Sequence, residues 1–498
     1  MATETYDRLV AKAKEIKLLA GVSGLLGWDQ ETYMPAKAGE VRSDQMALLA
    51  GLLHDKVVAS EIGDLLATLE KEKLSAERAA VVRETRRSHD RERKLPKELV
   101  EEMARTTSRA QEAWAKARKE KDFPAFAPWL EKVLDLKRQV AKHLGTPGQE
   151  PYDALLDEFE PGCTSAELTA LFTRLEAELV PLVKKIVSSK KKPRVEILER
   201  RYAKAKQEEF GRLVAKDMGF DFEAGRLDVS AHPFCSGLAP DDVRITTRYA
   251  EDDLTGSLFG IMHEAGHGLY EQGFDRAWYG TPLAEACSTG VHESQSRLWE
   301  NMVGRSRSFW RHYFPKLREF FPEPLADVSE ADFVFAVNDV RPSFIRTEAD
   351  EVTYNLHVLL RFEVERDLLS KKLSVSDLPR FWNDKFEKLL GVRPADDAQG
   401  CLQDIHWSFG LFAYFPTYTL GNCYAAQIHA AADKELGLDA RLAKGELKPL
   451  REWLREKVHA RGMLHRPKEL VKAVTGAPPS PEPFMKYLNA KYGELFGF

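Results

Sequence analysis

The sequence predicts a mainly α-helical protein with one small antiparallel β-sheet beside a central helix. Three observations lead to this fold class. Apolar residues recur at helical spacing through most of the chain. Alternating, β-branched residues are concentrated in 226–250. Helix-capping and turn residues separate the remaining segments.

The first 140 residues are predicted to form long helices. The stretch "YDRLVAKAKEIKLLAGVSGLLGW" has apolar residues at helical spacing, and the charged stretch 76–123 has only a thin apolar stripe, which is typical of exposed, paired helices. The turn-rich segment 144–164 follows and ends in a Thr/Ser pair that can cap the next helix.

Strand character is confined to a short region before the central helix. In "DVRIT" at 242–246, Val243 and Ile245 alternate with Asp242, Arg244 and Thr246, so the two sets are expected to point to opposite faces of a strand. The next segment, 254–273, is predicted to be a helix that starts at a Thr or Ser and ends at Gly273. Beyond residue 280 the pattern is again mostly helical.

Charge and cysteine content exclude several classes of function. The chain has 498 residues and a net charge of −5, so neither nucleic acid nor an anionic membrane surface is an expected partner. The N-terminal segment lacks the features of a signal peptide, and no apolar stretch is long enough to span a membrane. The five cysteines include no CxxC pair. Reduced thiols and a cytoplasmic location are therefore predicted.

The segment "IMHEAGHGLY" at 261–270 contains the pattern HExxH. His263 and His267 are one helical turn apart on the same face, so both imidazoles can bind one cation. Glu264 is rotated about 100° from His263, which places a carboxylate beside the metal where it can take a proton from water.

Coincidence is the alternative explanation of these three polar residues. Gly266 and Gly268 argue against it, because each costs a helix roughly 1 kcal/mol relative to Ala. We expect close approach of another helix, or of the metal's ligands, at these two positions.

A catalytic zinc site needs a third protein ligand and an open position for water. The segment "STGVHESQSRLWE" at 288–300 offers Glu293. The neighbouring His292 points about 100° away on a helix, so we prefer the carboxylate. An ordinary exposed helical glutamate is the alternative for Glu293.

Beyond HExxH, the chain resembles the carboxypeptidase Taq family of metallocarboxypeptidases. The family's six signature blocks are all present without substitution: HPF at 232–234, DVRIT at 242–246, HEAGH at 263–267, HESQ at 292–295, IRTEAD at 345–350 and GCLQDIHW at 400–407. The stretch "WDQETYMP" at 28–35 is also similar to the family's. The blocks extend over most of the chain, and six together are far more specific than HExxH alone.

The resemblance implies a helical zincin with a deep groove between lobes. It implies one catalytic domain over 1–498, with about 1–150 forming a helical lobe over the groove and 151–498 forming the lobe with the metal site. It implies one zinc or cobalt ion per chain, held by His263, His267 and Glu293, with Glu264 as general base. It further implies a homodimer that removes single C-terminal amino acids from peptides, with broad specificity and poor activity towards proline.

A carboxypeptidase must bind a free carboxylate, which arginine does best through a bidentate fork. Arg346 and Arg244 are the candidates. The alternative for Arg346 is an i,i+4 ion pair with Asp350 on one helix, and that carboxylate could also orient the guanidinium. The alternative for Arg244 is an exposed strand residue.

Hydrolysis of a peptide also places negative charge on the tetrahedral oxygen, which hydrogen-bond donors stabilise. His406 is the first candidate, followed by a tyrosine, either Tyr418 or Tyr414, with Tyr418 preferred. Packed aromatic side chains are the alternative for all three. His232 of the HPF block is expected to line the substrate groove.

Three competing functions remain open from the sequence. A zinc endo-oligopeptidase would cut internal bonds and accept amidated peptides. A non-catalytic helical scaffold would keep only a relic metal site, although it would not need Glu264. A metal hydrolase acting on a non-peptide amide is the third. The sequence does not distinguish zinc from cobalt or manganese.

Overall fold

The computed structural model describes residues 2–498, and helices dominate this part of the chain. The helices of its first half are α1 (Ala2–Thr32), α2 (Gly39–Val57), α3 (Ser60–Leu69), α4 (Ala76–Lys94), α5 (Lys97–Glu120), α6 (Phe123–Leu144), α7 (Pro151–Leu156), α8 (Ser165–Ser188) and α9 (Lys204–Met218). Three strands follow: β1 (Gly225–Val229), β2 (Cys235–Ala239) and β3 (Asp242–Thr247). The remaining helices are α10 (Leu254–Gly273), α11 (Thr289–Arg297), α12 (Arg307–Phe320), α13 (Glu330–Ala336), α14 (Tyr354–Leu369), α15 (Leu378–Leu390), α16 (Pro416–Leu436), α17 (Leu438–Leu442), α18 (Lys448–Lys457), α19 (Pro467–Thr475) and α20 (Glu482–Phe496). The predicted mainly helical fold is confirmed.

The chain divides into two compact units, each made of three separate segments. The first unit contains the residues up to Arg93, Pro193–Val337 and Tyr424–Pro479. The second contains Lys94–Lys192, Asn338–Cys423 and Ser480–Phe498. The lobe boundary expected near residue 150 stays a prediction.

Helix α10 is the central helix of the first unit. It packs against β2, β3, α9 and α11, and its side chains Ile261, Met262, Ala265 and Leu269 are all buried. The helix is capped by Asp253, whose carboxylate accepts the N–H of Gly256, and not by the Thr or Ser that the sequence suggested. A carboxylate at this position also complements the helix dipole, which favours Asp as the cap.

The small sheet lies beside α10 as predicted, but it is mixed and not antiparallel. β3 is the middle strand, with β1 parallel to it and β2 antiparallel. The prediction was wrong because alternation within a strand does not specify which strands become neighbours. The chain reverses twice, and the third strand lies between the first two, so β1 and β3 run in the same direction.

The two helical glycines lie where other elements approach α10 closely. A Cβ on Gly266 would lie 2.7 Å from the backbone carbonyl oxygen of Gln295 and 2.7 Å from Cα of Ser296, both on α11. A Cβ on Gly268 would lie 2.7 Å from the ring of Phe220. The expected close approach of another helix is therefore present at Gly266.

The core of the second unit surrounds α14, which is buried on almost every side. Buried Leu356, Leu360 and Phe362 lie on α14 together with the buried polar residues Arg361 and Glu365. The predicted cap of α8 is present: Thr164 forms a capping box with Glu167.

Within residues 2–498, no helix is both long and apolar enough to cross a membrane. The five cysteines are free thiols.

Gly266→Ala is expected to destabilise the protein by about 1–3 kcal/mol, because the added methyl group would meet α11 backbone that cannot rotate away. Gly27→Ala on α1 is the matched control. A Cβ there has no neighbour within 4 Å, so helix propensity alone predicts a gain of up to about 1 kcal/mol. Urea unfolding of both variants measures the difference, and equal effects would contradict the close helix contact.

Candidate functional site

Helices α10 and α11 bring three potential metal ligands together in the first unit. One nitrogen each of His263 and His267 and a carboxylate oxygen of Glu293 all lie within 4.8 Å of one another. Nε2 of His267 is 3.3 Å from Oε2 of Glu293, and Nε2 of His263 is 3.7 Å from the same oxygen. Ligands of a tetrahedral zinc ion lie about 3.3 Å apart, given zinc–ligand bonds of about 2.0–2.1 Å. The arrangement therefore fits one divalent cation.

The charges around these three residues also favour a cation. Burial lowers the pKa of His263, but Glu293, Glu264 and the hydrogen-bonded Glu300 raise it to about 9. Burial lowers the pKa of His267 to about 3, with His292 and His263 contributing. The Nε2 lone pair of His267 is therefore available at neutral pH, and the negative field that attracts a proton to His263 attracts a metal equally.

Glu264 is buried next to this cluster, with 7% of its surface exposed. Burial raises the pKa of its carboxyl to about 7, although His263 opposes the shift. The negative charges of Glu293 and Glu300 also raise the pKa of Glu264. The group can therefore exchange a proton near neutral pH.

Two arginines hold Glu293 and the neighbouring Glu300 in place. Arg297 donates from Nε to Glu293 over 2.7 Å and from Nη1 to Glu300 over 3.2 Å. Arg305 also reaches Glu300. Glu300 lies in a π-helical turn, Leu298–Val303, which continues α11. Such turns are frequent at functional sites, and this one points Glu300 at Nδ1 of His263, 2.9 Å away.

His292 does not share the cluster of ligand atoms with Glu293. Its Nδ1 lies 2.5 Å from Nδ1 of His267, and its Nε2 lies 2.8 Å from a carboxylate oxygen of Glu271. The imidazole lies behind His267, on the side away from Glu293.

Arg346 lies in the second unit, where it is 95% buried. Its Nε and Nη2 donate to Oδ1 of Asp404 over 2.9 and 2.8 Å, and its Nη1 donates to the hydroxyl of Tyr354 over 2.8 Å. The i,i+4 pair with Asp350 is absent, because residues 346–348 form a 3-10 turn and not an α-helix. Asp350 instead accepts the backbone N–H groups of Val352 and Thr353.

A second arginine shares the same carboxylate. Arg361 of α14 is fully buried and donates from Nε to Oδ2 of Asp404 over 2.6 Å. It also donates to Gln403, which accepts the backbone N–H of Arg346. Both guanidiniums hold the pKa of Asp404 well below its usual range, although burial opposes them. Two positive charges share the one carboxylate of Asp404, so these three side chains together carry one positive charge.

His406 and Tyr418 lie beside that cluster. Nε2 of His406 is 3.3 Å from the hydroxyl of Tyr418. Burial lowers the pKa of His406 to about 4, and Arg346 and Arg361 contribute although Asp404 opposes them, so the ring is neutral at pH 7. The ring of Tyr414 lies 5.4 Å from that of Tyr418.

The two remaining candidates lie elsewhere in the first unit. Arg244 is paired with its strand neighbour Asp242 through two hydrogen bonds of 2.8 and 3.0 Å, and its guanidinium stacks on Trp28 at 4.3 Å. His232 is exposed. Their roles in substrate binding stay predictions.

Sequence reasoning missed Arg361 and Asp404 as a pair, and it missed Glu271 and Glu300. A charged residue in the apolar stretch "NLHVLLRFEV" was a signal for Arg361, since unpaired charges are almost never fully buried. Glu271 follows His267 by one helical turn, which also places it on the histidine face.

Because two arginines share one carboxylate, removing the carboxylate of Asp404 should cost more stability than removing one of the arginines. Asp404→Asn is expected to cost about 3–5 kcal/mol, because it leaves two buried guanidiniums without a counter-charge. Arg361→Met leaves the neutral pair of Arg346 and Asp404 and is expected to cost about 1–3 kcal/mol.

Urea unfolding at pH 7 and at lower pH measures this difference. The pKa of Asp404 is lowered by folding, so its ionised form contributes stability above the unfolded pKa of about 3.9. That contribution is lost as the pH falls further, and the effect of Asp404→Asn should shrink there. Equal costs for the two variants at pH 7 would contradict the charge count.

Comparison with known proteins identifies the family. The family model described as carboxypeptidase Taq (M32) metallopeptidase matches residues 8–492. The chain is 47% identical over 505 residues to thermostable carboxypeptidase 1 of Thermus thermophilus, covering 99% of both chains. It is 38% identical over 500 residues to carboxypeptidase 1 of Bacillus subtilis, covering 100% of both. The crystal structure of the M32 carboxypeptidase from Deinococcus radiodurans R1 matches with a TM-score of 0.97 and 44% identity, over 99% of this chain and 100% of that chain. The resemblance inferred from the six blocks is confirmed, and the chain belongs to the carboxypeptidase Taq (M32) family of metallopeptidases and is a metallocarboxypeptidase.

Proposed function

We propose that this enzyme removes single amino acids from the free C-terminus of peptides, with one zinc ion bound by His263, His267 and Glu293. The observation that carries this proposal is the meeting of these three ligands beside the buried Glu264. The donor set of two histidines and one glutamate is typical of catalytic zinc, with cobalt as the alternative. The metal supplies Lewis-acid activation of a water molecule.

Glu264 is proposed as the general base. It takes a proton from the attacking water and passes it to the leaving amine. A base is most effective when its pKa lies near the working pH, and burial brings the pKa of Glu264 to about 7.

Arg346 is proposed to bind the terminal carboxylate of the substrate. The cluster of Arg346, Arg361 and Asp404 carries one buried positive charge in excess, and an anion would neutralise it. A carboxylate is such an anion, whereas an amidated C-terminus is not. This argument favours a carboxypeptidase over an endo-oligopeptidase.

His406 and Tyr418 are proposed to stabilise the negative charge of the tetrahedral oxygen. Support comes from the pKa of His406, lowered to about 4, which keeps the ring neutral. The neutral ring carries one N–H and the phenol one O–H, and the 3.3 Å contact links the two groups. Arg244 and His232 are proposed to contact the peptide, and Tyr414 remains the alternative to Tyr418.

Broad side-chain specificity, poor activity towards proline, a homodimer and a cytoplasmic location complete the proposal. The free cysteines are consistent with a reducing compartment. None of these four properties affects the tests below.

Glu264→Gln should keep the metal yet lose activity on the order of 10²- to 10⁴-fold in kcat, because it removes the base but none of the three ligands. Glu285→Gln, which changes a half-buried glutamate paired with Lys17, is the control. Metal content by atomic absorption and turnover of a free-acid peptide are measured together. A fully active Glu264→Gln variant would show that another group is the base.

Mass spectrometry of one mid-length peptide, supplied as free acid and as C-terminal amide, tests the substrate class. We expect a ladder of single residues lost from the free acid, with the amide uncut. Arg346→Ala should lower kcat/KM for the free acid on the order of 100-fold, because charged hydrogen bonds contribute about 1.5–3 kcal/mol. Arg341→Ala, which removes a 65% exposed arginine, is the control. Internal cleavage of both peptides would replace the proposal with an endo-oligopeptidase.

A further inference from the structure

The two histidines of α10 differ in the group that faces their second ring nitrogen. Nδ1 of His263 contacts a carboxylate directly, Glu300 at 2.9 Å. Nδ1 of His267 contacts another imidazole, His292 at 2.5 Å, and Nε2 of His292 contacts Glu271 at 2.8 Å. His267 therefore reaches its carboxylate through an intervening ring.

The proton positions along this chain follow from the hydrogen bonds once Nε2 of His267 binds a cation. If Nε2 of His267 is to bind a cation, the proton of His267 must sit on Nδ1. Nδ1 of His292 must then accept that proton's hydrogen bond, so the proton of His292 sits on Nε2 and is donated to Glu271. The opposite assignment would place two acceptors, Nε2 of His292 and the carboxylate of Glu271, 2.8 Å apart. Glu271 thus fixes both tautomers.

The packing around His292 and Glu271 holds both groups in these orientations. The rings of His292 and His267 meet at their edges with an interplanar angle of 28° and centroids 4.5 Å apart, and the ring of His292 lies 5.3 Å from that of Tyr270 on α10. The carboxylate of Glu271 packs directly against Gly237 of β2, where a Cβ has no room. The side chains of His292 and Glu271 are only 23% and 20% exposed. The geometry is built into the fold and does not depend on a mobile surface side chain.

We infer that His292 and Glu271 are positioning residues that hold His267 in the tautomer required for metal binding. The inference rests on the proposed role of His267 as a metal ligand. Neither residue supplies a ligand atom to the cluster of His263, His267 and Glu293. The two residues raise the affinity for the metal. They affect peptide hydrolysis only through the amount of metal that is bound.

The test compares two replacements of His292 that separate hydrogen bonding from packing. His292→Phe keeps an aromatic ring but loses the acceptor. His292→Asn loses the ring but keeps an oxygen that can accept from Nδ1 of His267. Zinc Kd is measured by competition with a chromogenic chelator, and the melting temperatures of metal-free and zinc-loaded protein are recorded beside it.

His292→Phe should weaken zinc binding by about 10- to 100-fold, the usual effect of losing a group that orients a metal-binding histidine. His292→Asn should lie much closer to the wild type, and Glu271→Gln, which keeps an acceptor but loses the charge, should lie between them. In His292→Asn, the melting temperature of the metal-free protein should fall, while the zinc Kd should stay close to the wild-type value. His465→Phe is the control and should leave zinc Kd unchanged.

Gly237→Ala provides a second route to the same result. It displaces the carboxylate of Glu271 without altering either histidine, and it should also weaken zinc binding. This variant keeps the test decisive if His292→Phe does not fold.

Wild-type zinc affinity in both His292→Phe and Gly237→Ala would overturn the inference, as would an affinity of His292→Asn no better than that of His292→Phe. The latter order is expected if the ring only fills space. Failure of the proposed function gives a different result: the wild type itself would bind zinc no more tightly than a His263→Ala variant.

Discussion

The close contact between α10 and α11 is the constraint on which the candidate metal site depends. At Gly266 the two helices meet backbone to backbone, and a single methyl group would separate them. This contact places Glu293 of α11 within 3.3 Å of His267. Because α11 continues into a π-helical turn, Glu300 is also directed at His263. The two helices together therefore position both the ligands and the groups that orient them.

Buried charge gives the two units opposite preferences for the charge of a bound ion. In the first unit, three glutamates surround the histidines of α10 and raise the pKa of His263 to about 9. In the second unit, two arginines share Asp404. Uncompensated buried charge is costly, so the first cluster favours a cation and the second an anion. These preferences match the proposed binding of a metal ion by the first cluster and of a substrate carboxylate by the second.

The sequence predicted those site residues whose relative positions are set by spacing along one helix. It did not predict contacts between residues that are distant in the sequence. His263, Glu264 and His267 are related by helix periodicity alone, and that geometry was predictable. Glu293 required a second helix, and the HESQ block supplied it. The pairing of Arg346 with Asp404 joins residues 58 positions apart, and no local rule connects them. The parallel pair of β1 and β3 was missed for the same reason, because strand order is decided by tertiary packing and not by alternation.

The glycines of α10 show how tertiary packing overrides helix propensity in the central helix. Gly266 and Gly268 each cost roughly 1 kcal/mol relative to Ala, so the isolated segment is a poor helix. Buried side chains such as Ile261, Met262 and Leu269 offset this cost, since each contributes about 1.5–3 kcal/mol when removed from water. The same glycines permit the close approach of α11 and of Phe220 to this helix. The face of α10 that carries the candidate ligands therefore forms only together with the elements packed against it. The candidate metal site is assembled by folding of the first unit rather than by the HExxH segment alone.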